Sequence, residues 1–304
     1  MRRVLAVHFV PCALFVGGVL GFVRAGSFSG RSDWGAVWPE RPMAVMGVLA
    51  TVTVCASLLG VLLQPFQVRA VRVLEGYWDR WYLTARLAGV LAQLQRRRWQ
   101  ALRRRVEQVA RDDTALRLQA DARRRLALRP SVEALLPTAL GNALRAGELS
   151  AGERYGLTTL TSWPRIYPQV SGYLAQALRS TRDALDTAVN LCWSFLALTL
   201  TAAVALYDEM STWWLCGAGL VLAWVAYKGA VTVAQSYSAL MHVVYDLHRF
   251  DLAAALRHRL PDDREEELEL FARISDLVAG RGRLDVRYHH GGADCRPCRD
   301  EAGS

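Results

Sequence analysis

Three arginines, Arg145, Arg154 and Arg165, fall in one short stretch with Asn142, Glu148, Glu153, Tyr155 and Trp163. Guanidinium forks match the geometry of carboxylates and phosphates, so this set could hold a small anionic ligand. The same residues could instead brace helices, and Arg145 with Glu148 at i and i+3 suits a structural ion pair. A second set, His289, His290, Cys295 and Cys298, offers nitrogen and thiolate donors of the kind zinc takes. Gly291 and Gly292 would let that segment fold back on a structural zinc; the competing reading is a mobile tail, and no other cofactor is expected. Two further polar groups, His8 and Lys228, stand inside apolar runs. There a charge marks either an ion path or a side chain reaching for headgroups, and the two could face one another if their segments pack.

Chemistry that depends on familiar loops finds no support. The chain has no GxxxxGK[ST], no GxGxxG, no GxSxG and no HExxH. An enzymatic role is therefore unsupported by motif, although unfamiliar chemistry stays open.

The stretch from Leu136 to Arg165 holds Pro137, Gly141, Gly147, Gly152, Gly156 and Pro164, a composition of tight, sterically specified backbone. Pro137 suits a first helical turn, with Leu140, Ala143 and Leu144 as a short apolar face ending near Gly147. Trp163 before Pro164 predicts a chain reversal and a new start. The runs LGNxLRAxE at Leu140 to Glu148, ERYGL at Glu153 to Leu157 and WPR at Trp163 to Arg165 resemble an uncharacterised family of bacterial integral membrane proteins. The resemblance extends more faintly to YDLHRFDLAAAL, Tyr245 to Leu256. In that family Asp usually follows RYGL, whereas this chain has Thr158. The resemblance implies membrane residence; no activity is attached to the family.

The elements that must position these residues are apolar. The chain of 304 residues is 52% hydrophobic with a net charge of +9, which favours a membrane protein over two soluble domains. Lys228 is the only lysine, so the basic charge is arginine. Cys12, Cys55, Cys192 and Cys216 lie in apolar runs and read as small hydrophobes. Residues 4–23, 43–63, 188–206 and 213–233 each have about the twenty-residue length that crosses a hydrocarbon core. The first competes with a cleaved signal peptide, but a second apolar run follows closely. Trp34, Trp38, Tyr207, Trp213 and Trp214 suit the interfaces. The expected fold is all-α, with a hairpin at 1–66, an arginine-rich middle at 67–187, a second hairpin at 188–234, helices at 235–280 and a tail at 281–304. Arginine asymmetry puts both termini and the middle in the cytoplasm of a bacterial inner-membrane, multi-pass protein.

Between Gln67 and Leu128 there is no proline, so a long helix or helix pair is expected. Leu74, Trp78, Trp81, Ala85, Ala88, Ala92, Trp99, Leu102, Val106 and Val109 keep a heptad seam interrupted by Gln95. Its partner would be a second copy, or later helices of the same chain. Arg96 to Arg98, Arg103 to Arg105 and Arg123 to Arg125 read as a solvated face or a contact for anionic lipid headgroups, ahead of nucleic acid. Pro261, Asp262, Asp263, Glu265 and Glu266 open a further helix, with Leu268, Phe271, Ile274 and Val278 as its buried face. That acidic helix could dock on the basic stalk.

The function these readings favour is a non-enzymatic membrane-anchored scaffold or regulatory protein that binds a partner or a second copy through the stalk. The alternative is an oligomeric ion channel or small-solute transporter with a gate in the middle region.

Overall fold

The structure, a computed structural model, describes residues 5–78, 82–109 and 112–281. Trp81 of the seam and the four tail donors His289, His290, Cys295 and Cys298 lie outside the described residues. The fold is all-α, 81% helix, with no strand among the described residues.

A π-turn, Leu5–Phe9, leads into α1, Val10–Arg24. Helix α2 spans Pro42–Leu63 and begins on proline, whose fixed φ suits a first turn and whose missing N–H costs nothing there. A 3-10 turn carries it into α3, Gln67–Glu75. Helices α4, Tyr82–Glu107, and α5, Asp113–Ala127, are followed by α6, Ala139–Glu148, and α7, Thr159–Ile166. The long helices α8, Gly172–Ala205, and α9, Trp214–Ala255, precede α10, Arg264–Val278.

Four helical stretches are long and apolar enough to cross a membrane: Val7–Arg24, Pro42–Glu75, Gly172–Ala205 and Met210–Ala255. This is the pattern of a multi-pass membrane protein. Only 11% of the most apolar window of the second stretch is buried, so Leu49, Val54, Leu58 and Leu62 point outward, where acyl chains would cover them. At about 1.5 Å per residue α8 and α9 exceed a hydrocarbon core of roughly 30 Å, so part of each lies outside it.

The chain divides into two compact units, Met1–Gly147 with Gln176–Ala239, and Glu148–Ala175 with Leu240–Ser304. In the first, Val71, Leu140, Leu144, Leu185, Val189, Ala230 and Ala234 form one buried cluster that joins α3, α6, α8 and α9. Close approach there depends on glycine. A Cβ on Gly141 would stand 2.1 Å from the Glu75 carbonyl oxygen, and one on Gly147 would stand 2.8 Å from Ser238. In the second unit α10 packs on α7 and on the 3-10 turn Glu153–Tyr155.

Several local expectations change. The helix from Gln67 does not run on, because Gly76 closes α3 in the left-handed region at φ +97°. The partner of the seam on α4 is α5, the next helix: Ala88 and Gln95 are buried on α4 and Ala122 on α5. Gln119 fastens the α4–α5 hairpin by donating to the Val106 and Gln108 carbonyls at 2.7 and 3.1 Å. Pro164 lies inside α7, and the chain leaves helix after the 3-10 turn Tyr167–Gln169. The N–H that Pro164 lacks would have reached Leu160, which is exposed, so water can satisfy that carbonyl. Pro137 stands before α6 and not within its first turn. On α10, Phe271 and Ile274 are buried, but Leu268 is 40% exposed.

Candidate functional site

The residues singled out between Asn142 and Arg165 divide between the two units, and each group is built separately. In the first unit Asn142 is a brace. Its amide donates to the Leu136 carbonyl at 2.9 Å and accepts from the Leu136 N–H at 2.7 Å, pinning the entry to α6. Thr138 accepts from the Gly141 N–H and donates to the Glu75 carbonyl, while the Tyr227 hydroxyl accepts from Ala139 and Leu140. The orphan donors at the start of α6 are thereby met. Arg145 donates to the Ala134 carbonyl at 3.3 Å.

In the second unit Glu153 serves α7. Its carboxylate accepts from the Thr159 N–H at 3.1 Å and the Thr159 hydroxyl at 2.6 Å, and that hydroxyl accepts from the Gly152 N–H. Thr158 is the N-cap residue of α7, yet its side chain makes no capping bond, so Glu153 does the work a capping side chain would. Trp163 stacks beside Tyr167 and Tyr245, with ring centroids 5.9 and 6.2 Å away. Tyr245 is fully buried and binds Ser162 and the Thr159 carbonyl. Arg165 donates to the Thr161 carbonyl of its own helix.

Arg154 and Tyr155 meet different partners. Both bind the Asp246 carboxylate, the Tyr155 hydroxyl donating at 2.6 Å and Arg154 forming an ion pair. The Arg249 guanidinium lies 4.3 Å from the Tyr155 ring and 4.3 Å from the Phe250 ring. Its Nε donates to Glu267 at 2.7 Å, and its Nη1 to the Asp246 carbonyl. Burial, then the Asp246 hydrogen bond, push the Tyr155 phenol above its ordinary pKa. These groups surround a cavity of about 350 Å³ lined by Arg154, Tyr155, Arg249, Arg264, Glu267 and Leu268.

Asp246, Arg249, Arg264 and Glu267 were not legible as site residues. The signal available was the YDLHRF run at 245–250, which places Asp246 and Arg249 one helical turn apart.

His8 and Lys228 have different neighbours. The His8 ring lies 3.2 Å from the Asn190 amide, at a cavity of about 330 Å³ also lined by Cys12, Phe15, Leu59, Gln67 and Trp193. Lys228 is exposed on α9, its ammonium 5.9 Å from the Trp224 ring. No group of three or more His, Cys, Asp or Glu able to hold a metal occurs among the described residues.

Comparison of the chain with protein-family models, with curated proteins and with solved structures gave no match. The site therefore rests on its own geometry.

Proposed function

We propose that this chain is a non-enzymatic scaffold or regulatory protein of a bacterial inner membrane, with both termini and the α4–α5 hairpin in the cytoplasm. The arginine bias between the second and third apolar stretches supports that orientation. One observation carries the functional reading. With α5 on one side of α4, Leu83, Leu87, Val90 and Leu94 remain exposed along the same helix, spaced four, three and four residues apart. That is the spacing of a helix-pairing seam, and a helix apolar on opposite sides is one that is covered on both when it works.

The occupant is an amphipathic helix of a partner protein with acidic flanks. Residues 82–127 hold twelve arginines and four acidic residues, so a second copy of the hairpin would be repelled. A photo-crosslinking residue at position 87 or 90, in cells, tests this. The expected adduct is a protein segment with acidic residues beside the crosslinked position, lost when the other position becomes glutamate. Crosslinks to lipid alone, or to a second copy alone, would overturn it.

A channel is the second reading. It rests on the His8 and Asn190 pair at a cavity among the apolar stretches. Ion flux through reconstituted protein, abolished in His8→Ala, would establish the channel in place of the scaffold.

A further inference from the structure

We infer that the second unit binds a phosphomonoester group in the cavity bounded by Arg154, Arg249 and Arg264. The cavity gathers three guanidinium groups and one carboxylate, that of Glu267. Arg249 is preorganised: two rings and two acceptors fix its plane, and its side chain is 18% exposed. A guanidinium has five N–H donors, so the Glu267 and Asp246 bonds leave part of the fork unoccupied. Arg154 likewise directs Nη2 at Asp246 and the His242 carbonyl, leaving its other nitrogens. Arg264 lines the same space and makes no ion pair among the described residues.

With Asp246 paired to Arg154 and Glu267 to Arg249, three guanidinium groups meet two carboxylates and the site keeps one positive charge in excess. Planar forks held in place select a tetrahedral oxyanion, which accepts paired N–H bonds from more than one arginine. At about 30 Å³ per water the cavity holds roughly ten waters' volume, more than a phosphate ion fills. The half-exposed Leu268 gives the remaining space an apolar wall on which a short organic substituent can rest. Glu267, tied to Arg249, excludes ligands with more negative charge than the arginines offset.

The phosphomonoester could be a free solute or a lipid headgroup of the phosphatidic acid type, and one experiment separates them. The full chain in detergent is titrated with inorganic phosphate against chloride at matched ionic strength. The same chain is then placed in phosphatidylcholine nanodiscs with and without phosphatidic acid, and thermal unfolding is followed in both arms. Saturable stabilisation by phosphate identifies the free solute; stabilisation only by phosphatidic acid identifies the headgroup. In whichever arm responds, Arg264→Ala should weaken binding about tenfold or more, as loss of a charged paired donor does. Arg264→Lys should fall between the two, keeping charge without the fork. Arg264 is exposed and pairs with no side chain among the described residues, so Arg264→Ala keeps its wild-type unfolding temperature without ligand. No stabilisation in either arm, or equal stabilisation of wild type and Arg264→Ala, overturns the inference.

Discussion

Arginine behaves in two ways in this molecule. On the α4–α5 hairpin Arg96 to Arg98, Arg103 to Arg105 and Arg123 to Arg125 are all exposed. Two of them form ion pairs, Arg103 with Glu107 and Arg125 with Asp121, neighbours one turn along a helix with both partners about half exposed or more. In the second unit Arg249 is sandwiched between rings and tied to a half-buried carboxylate, and Arg154 reaches Asp246 across the sequence. The same side chain thus supplies field and solubility in one place and fixed geometry in the other. Burial and partners distinguish the two roles, and abundance does not. A run of three arginines is the conspicuous feature of the sequence, yet the inconspicuous Arg249 does the more specific job.

Substitutions can break that contrast, beginning with the largest expected effect. Arg249→Ala should cost about 3 kcal/mol in chemical denaturation, because it strands the Glu267 carboxylate and removes two ring contacts. An effect below that of any hairpin arginine would erase the distinction. Tyr155→Phe should cost about 1.5 kcal/mol by losing a hydrogen bond to a carboxylate. The phenol's raised pKa sets its pH dependence: the contribution is full below the ordinary phenol value and is lost as pH rises through the raised one. Wild type and Tyr155→Phe should therefore converge in stability only in strong alkali. Arg154→Ala should cost about 1 kcal/mol or less, since both partners are some 40% exposed and water screens the pair. Arg103→Ala, on the hairpin, should stay within about 0.5 kcal/mol of wild type.

Much of the architecture was legible because bilayers impose length and composition. Twenty apolar residues in a row announce a crossing helix whatever else the chain does. Helix starts were legible where chemistry is local: Asp263 caps α10 by accepting from the Glu266 N–H, as its position before three glutamates implies. The heptad seam was legible as a pattern, but not its partner, since spacing is silent on which helix fills it. Long-range polar pairings were not legible. Arg154 and Asp246 are 92 positions apart, and no periodicity links them. Proximity in sequence was silent on the unit each arginine serves: Arg145 belongs to the first compact unit, Arg154 and Arg165 to the second. Pro164 misled for a physical reason: a helix of eight residues loses little from one missing donor when the stranded carbonyl meets water.

The second face of α4 bears most directly on the scaffold reading, since Leu83, Leu87, Val90 and Leu94 are exposed beside a seam already filled. The decisive measurement is the mass of the particle extracted directly from cell membranes into nanodiscs, for wild type and for Leu87→Glu with Val90→Glu. The scaffold account predicts a wild-type particle heavier by one partner protein and a double variant reduced to the chain alone. Equal masses for the two, with the double variant folded, would contradict it.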